Sequence, residues 1–170
     1  MNDPRYEKLA HVLAGHSTQV QKDENVLIEA IDIPDEMVIA LIRAVRDRGG
    51  NPVVTMKRNL IQRELIKEGT EANFALAGDY EAYRMEKIQV YIGVRGSMNI
   101  TELSDVSTES MSLFQSKWYK PVHFDIRVPK TKWVVLRWPT SSMAQQAGRS
   151  TEAFESFYFD VCTFDYARMA

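Results

Sequence analysis

At 170 residues, with 45% hydrophobic and 26% charged residues and a formal charge of −2, the chain can build one sizeable core, since about 100 to 200 residues per domain is usual. The slightly acidic balance argues against a general binder of nucleic-acid backbone, which gathers a basic excess on one face, and no apolar run approaches the roughly 18 residues a membrane helix needs. The single cysteine, Cys162, cannot form an internal disulfide, and the charged amino terminus lacks the apolar stretch of a secretory signal, so a cytoplasmic location is expected, with neither nucleic acid nor membrane as partner.

The first element predicted is a helix in DPRYEKLAHVLAGHS, with Asp3 as N-cap, Pro4 at the first helical position, and Tyr6, Leu9, Val12 and Leu13 on one face. ENVLIEAIDI is a short β-branched run of the kind found in a central parallel strand. The segment after it, PDEMVIALIRAVRDRGG, has proline first, acids next, basic residues late and glycines last, the order the helix dipole favours. A strand in NPVVTMK, helices from about 59 to 67 and 70 to 85, and a strand in KIQVYIGV follow. Beyond Met98 the pattern loosens: SDVSTESMSLFQSKWYK reads as a helix, and VHFDIRV alternates apolar and polar from 122 to 128, the signature of a strand with one wet face. KWVVLRW supplies a further apolar strand, with Thr140 or Ser141 capping what comes next. In the last helix, Phe154, Phe157, Tyr158, Val161 and Asp165 share one face, leaving Phe159, Phe164 and Tyr166 off it.

Strands alternating with helices predict an α/β fold: an open, doubly wound, mainly parallel sheet of about four to five strands with helices on both faces, in a single domain over 1–170. Motifs for chemistry are sparse. The histidines are His11, His16 and His123, and a separation of five sets the first two about 140° apart on a helix, so they cannot share a metal as an i, i+4 pair can. No H-E-x-x-H, paired-cysteine or EF-hand pattern occurs, and no P-loop. TSSMA has no flanking glycines for a nucleophile elbow, and Cys162 has no basic neighbour to activate it. Asp32, Asp35 and Glu36 collect at a strand end, where the dipole of the following helix already accounts for acids. The remaining candidate is GVRGSMN, where Gly93, Arg95, Gly96 and Asn99 are expected in a polar loop; with Asp32 they outline a ligand crevice at the carboxyl ends of the strands. The plainer account of that loop is a sharp turn in which Asn99 ties down backbone.

Three stretches carry a resemblance: ENVLIEAIDIPDEMVIALIRAVRDRGGNPVV, IGVRGSMNITELSDV, and KWVVLRWPTSSMAQQAGRSTEAFESFYFDVCTFDYARM, with W-x-x-L-R-W-P-T, then S-M-A-Q and S-T-E-A-F-E as the most specific part. They resemble the amino-terminal half of the thermophilic-type metallo-aminopeptidases, over about Leu9 to Met169. The resemblance implies a cytosolic, homodimeric exopeptidase acting on peptides with two divalent metals, zinc or cobalt. In that family the metal-binding residues belong to a carboxy-terminal catalytic domain, so no metal, cofactor or catalytic residue is assigned to this chain. On this expectation the segment is a scaffold that shapes the substrate cavity and the dimer. The competing expectation from the residues alone is a stand-alone module that binds a small anionic or nucleotide ligand near Asp32, Arg95 and Asn99.

Overall fold

Strand β1 (Asn25–Ile31) lies between β2 (Asn51–Lys57) and β3 (Val90–Arg95), and β4 (Lys132–Arg137) pairs with the far side of β3, giving the order β2-β1-β3-β4 with every pair parallel. These assignments come from a computed structural model, which describes residues 3–165. The register sets Val54, Ile28, Ile92 and Val134 in one row across the sheet, and Val53, Leu27, Tyr91 and Trp133 in the next. Successive side chains point to opposite faces, so these rows belong to two separate cores.

One core holds Val26, Ile28, Ala30, Val90, Ile92 and Val94 against three helices. These are α1 (Pro4–His11, continued by π-helical turns over Val12–Ser17), α2 (Asp35–Asp47) and, last in the chain, α8 (Thr151–Cys162). The opposite face packs Leu27 and Tyr91 against α4 (Glu71–Met85) and against a π-helical segment, Gln115–Arg127, that continues α5 (Thr108–Phe114). Helix α3 (Asn59–Lys67) adds Ile66 to a smaller cluster with Phe74 and Phe114. Two short pieces, α6 (Val128–Lys130) and α7 (Ser141–Gln146), flank β4. The α/β fold class therefore stands, with four strands among the described residues.

Local chemistry explains most boundaries. The Asp3 carboxylate accepts from the Arg5 N–H at 2.9 Å with Pro4 in the first turn, and Thr70 and Asn73 form a reciprocal capping box on α4. The predicted strand over 122–128 is instead helical. Only Val122 and Ile126 of its alternating apolar set are buried, four residues apart, whereas Phe124 and Val128 are exposed. Pro121, with no N–H to donate, lies inside this segment, and the looser π-helical winding accommodates it. The third strand begins and ends later than predicted, so Gly93 and Arg95 are strand residues and the loop starts at Gly96. The last helix is turned from its predicted orientation: Tyr158 and Phe159 are buried, while Phe157 and Val161 face outward; Tyr166 lies outside the described residues. Thr140 occupies the N-cap position of α7, yet its hydroxyl donates to the Ser97 carbonyl at 2.8 Å and does not cap.

Candidate functional site

β1 and β3 are neighbours, while the chain leaves β1 toward β2 on the other side, so their carboxyl ends form the switch point where open α/β sheets hold ligands. On the sheet face covered by α4 and the π-helical segment, this end of the sheet gathers charge. Glu29, in the middle of the central strand, is 3% exposed. Its carboxylate accepts the Tyr91 hydroxyl at 2.7 Å and pairs with Lys57 Nζ at 3.1 Å. Lys57 lies equally close to Glu81 on α4, at 3.0 Å, so one ammonium serves two carboxylates. Arg95 stands 3.8 Å from Glu29 and donates only long hydrogen bonds, 3.4 Å each, to the hydroxyls of Tyr91 and Tyr119; its Nε, also buried, has no partner.

These groups are positioned by strand geometry. Glu29 and Gly93 are cross-strand partners, Ile31 pairs with both Lys57 and Arg95, and all of these point to the same face. Gly93 makes the arrangement possible: a Cβ there would come within 2.9 Å of the Tyr91 ring, which lies across the space to reach Glu29. From the π-helical segment come Trp118, Tyr119 and His123. The His123 Nδ1 accepts from Arg127 Nε at 3.1 Å, which leaves the proton of the neutral ring on Nε2.

The electrostatics follow from burial. Burial pushes the Glu29 carboxyl up, but the Lys57 charge and the Tyr91 hydrogen bond outweigh it, and Glu29 titrates below the usual carboxylate range. Burial alone lowers Lys57, yet Glu29 and Glu81 raise it above the ordinary lysine value. His123 is pushed down to about 4, first by burial and then by the cations of Arg127, Arg95 and Lys57, against the opposing pull of Glu29. At neutral pH Glu29 is thus a carboxylate, Lys57 an ammonium and His123 a neutral imidazole.

A cavity of about 200 Å³, partly open to solvent, lies among Glu29, Lys57, Glu81, Arg95, Trp118 and His123. A surface crevice of about 550 Å³ shares part of its wall, including Asn59, Arg95 and Leu103, and is also lined by Asn99 and Arg137. The structure therefore brings Arg95 and Asn99 to one crevice. Asp32 lines a different one, of about 600 Å³, with Arg58, Trp138 and Thr140. Its backbone is left-handed, with φ 47°, and its carboxylate accepts the Asn59 N–H at 3.0 Å, tying the end of β1 to the start of α3. Asn99 holds its own loop, accepting from the N–H and hydroxyl of Thr101. Glu29, Lys57, Glu81 and His123 were not singled out from the sequence. The available signal was a carboxylate inside the apolar run of a central strand.

Wild-type AmpT from Thermus thermophilus matches with a TM-score of 0.71 at 18% identity, covering 94% of this chain and 43% of AmpT; the likeness is one of fold, and this chain spans less than half of AmpT. An alcohol dehydrogenase superfamily protein from Novosphingobium aromaticivorans gives a TM-score of 0.38 at 12% identity, covering 92% of this chain and 47% of that one, too low for any argument. No curated protein matches. Among the described residues, no group of three or more His, Cys, Asp or Glu side chains is placed to hold a metal ion, so these residues do not fit a metal centre. No helix among them is long and apolar enough to cross a membrane. Over residues 2–168 the sequence matches the family model described as thermophilic metalloprotease (M29), and the chain belongs to that family.

Proposed function

We propose that this chain is the amino-terminal domain of a metal-dependent aminopeptidase, cytoplasmic and homodimeric, which removes amino-terminal residues from peptides. Two divalent metals, zinc or cobalt, would be held by a carboxy-terminal catalytic domain, where they would polarise the scissile carbonyl and activate water. This segment then serves as a scaffold that shapes the substrate cavity and the subunit contacts. The observation that carries the reading is the family match across 2–168. The inward pairing of Glu29, Lys57 and Glu81 suits a scaffold, since these groups engage one another in the interior.

Hydrolysis of an amino-acid p-nitroanilide, in the presence of zinc or cobalt, tests it. The chain by itself should release no nitroaniline, and the chain joined to a carboxy-terminal domain of the family should be active. Equal rates from both would overturn the reading. A second reading, a module that binds a small anion or nucleotide, draws on Arg95 and Asn99 sharing one crevice; a thermal shift with nucleotides or phosphate would support it, and no shift with any of them would leave it without support.

A further inference from the structure

Two arginines that the sheet sets side by side wall the outer crevice. Arg95 and Arg137 end β3 and β4 as cross-strand partners, on the same face of the sheet. No carboxylate holds either guanidinium directly. For Arg95 the nearest carboxylate oxygen, on Glu29, is 3.8 Å away. Arg137 is exposed, and its side chain makes no hydrogen bond or ion pair with any described residue. Like charges directly opposite on neighbouring strands destabilise a sheet, and an anion between them removes that cost. The stretch WVVLRWPT sharpens the point. In it Trp133 lies against the Arg127 guanidinium, Leu136 packs on the core, Trp138 and Pro139 are buried, and Thr140 donates to the Ser97 carbonyl. Packing accounts for these neighbours and leaves the Arg137 side chain without a structural partner.

The rest of the crevice selects among anions. Glu102 is the third charged residue lining it, so the formal charges of its walls sum to one positive, which a monoanion cancels. A phosphate group, with close to two negative charges, would leave an excess beside Glu102. Ile100, Leu103, Val135 and Met143 supply an apolar surface, and the lining residues include no aromatic ring on which a nucleotide base could stack. At about 550 Å³ the crevice falls within the roughly 300 to 1,000 Å³ usual for small-molecule sites.

We infer that the outer crevice binds a small monocarboxylate with an apolar body. Arg137 holds the carboxylate, Arg95 adds its charge from the inner wall, and the body rests against Ile100, Leu103, Val135 and Met143. This site rests on the anion-binding reading and narrows it to one ligand class, and it needs no metal and no second domain.

Calorimetric titration of the chain with four probes tests it: 4-methylpentanoate, its uncharged amide 4-methylpentanamide, inorganic phosphate and adenosine monophosphate. The carboxylate should bind saturably, the amide about tenfold more weakly or worse, the usual cost of a lost charged hydrogen bond, and phosphate and the nucleotide more weakly than the carboxylate. Arg137→Gln, at an exposed position, should unfold in urea like the parent and lose about tenfold or more in affinity for the carboxylate. If that variant fails to fold, a shift of the Arg137 Nε–H resonance when 4-methylpentanoate is added to the unaltered chain supports the site, and no shift overturns it. The assignment is also overturned if 4-methylpentanoate does not saturate, if the amide binds as well, or if a folded Arg137→Gln binds like the parent. Phosphate or nucleotide binding as tightly as the carboxylate, or without it, overturns the assignment and leaves the anion-binding reading standing. If none of the four binds, both fall.

Discussion

His123 shows how one residue can make the stability of this fold depend on pH. It is 3% exposed, and burial, reinforced by Arg127, Arg95 and Lys57, holds its imidazole at about 4, against 6.5 for an exposed histidine. Above pH 6.5 the ring is neutral in folded and unfolded chains alike, and its contribution is fully present. As pH falls below 6.5 the unfolded chain takes up a proton that the folded chain refuses, so stability drops by about 1.4 kcal/mol per pH unit, and the loss levels off near pH 4. Glu29, held below its ordinary value of 4.5, acts in the same direction but only at lower pH, leaving the window from 6.5 to 5 to His123. Urea unfolding at pH 7.5 and 5.0 should therefore show a loss on the order of 2 kcal/mol. His123→Gln, which keeps an acceptor for Arg127, should show much less. Equal stability of the parent chain at both pH values would contradict the burial argument. None of this was legible in the sequence, where His123 sits in a segment whose alternation resembled a strand with one wet face.

Between elements, α4 and the π-helical segment approach closely at Gly78. A Cβ at Gly78 would lie 2.3 Å from the Lys117 carbonyl oxygen and 3.0 Å from the Trp118 Cα, so two backbones meet where a side chain would otherwise stand. In an exposed helix interior, Gly→Ala stabilises by about 0.5 to 1 kcal/mol. Here the sign reverses, because the neighbouring atoms are main chain and cannot rotate away. Gly78→Ala should lower unfolding free energy by about 1 to 3 kcal/mol, as overpacking does. It should also change the near-ultraviolet signal of Trp118, since the segment must move. Denaturant unfolding alongside near-ultraviolet circular dichroism would check both. The elements most legible in the sequence were those with local chemistry at their ends. NPVVTMK is β2 as read, α3 runs over 59–67 as read, and Pro4 and Thr70 mark helix starts. The Gln115–Arg127 segment was misread because its winding is set by tertiary contacts with α4 and by Pro121, and a two-residue apolar period cannot report either. The charged cluster was missed for a related reason: Glu29, Lys57, Glu81 and Arg95 are far apart in the chain, and only sheet register and helix packing bring them together.

At the scale of the whole molecule, the first and last helices close the same face of the sheet, and one aromatic group joins them. Phe159, 2% exposed, stacks on Tyr6 at 5.7 Å and meets Trp138 at 5.8 Å, with the Arg5 guanidinium 4.7 Å from its ring centre. Arg5 also bonds Glu155 at 2.5 Å, so α1 and α8 are joined by packing and by charge. Helical periodicity instead placed Phe157 on the inner face and Phe159 off it, because aromatic residues occur around much of this helix and its apolar pattern does not single out a direction. What fixes the rotation is the pocket between Tyr6 and Trp138, formed by residues more than a hundred positions apart. Truncating each phenylalanine separates the two orientations. Phe159→Ala removes a ring from a filled core and should cost about 3 to 5 kcal/mol. Phe157→Ala removes one that is 49% exposed and should change stability by no more than about 0.5 kcal/mol. Equilibrium unfolding of the two variants against the parent chain decides the point. A large loss at Phe157 with little change at Phe159 would mean that α8 packs by the face its periodicity suggests, and that the joint between the first and last helices is not the one described.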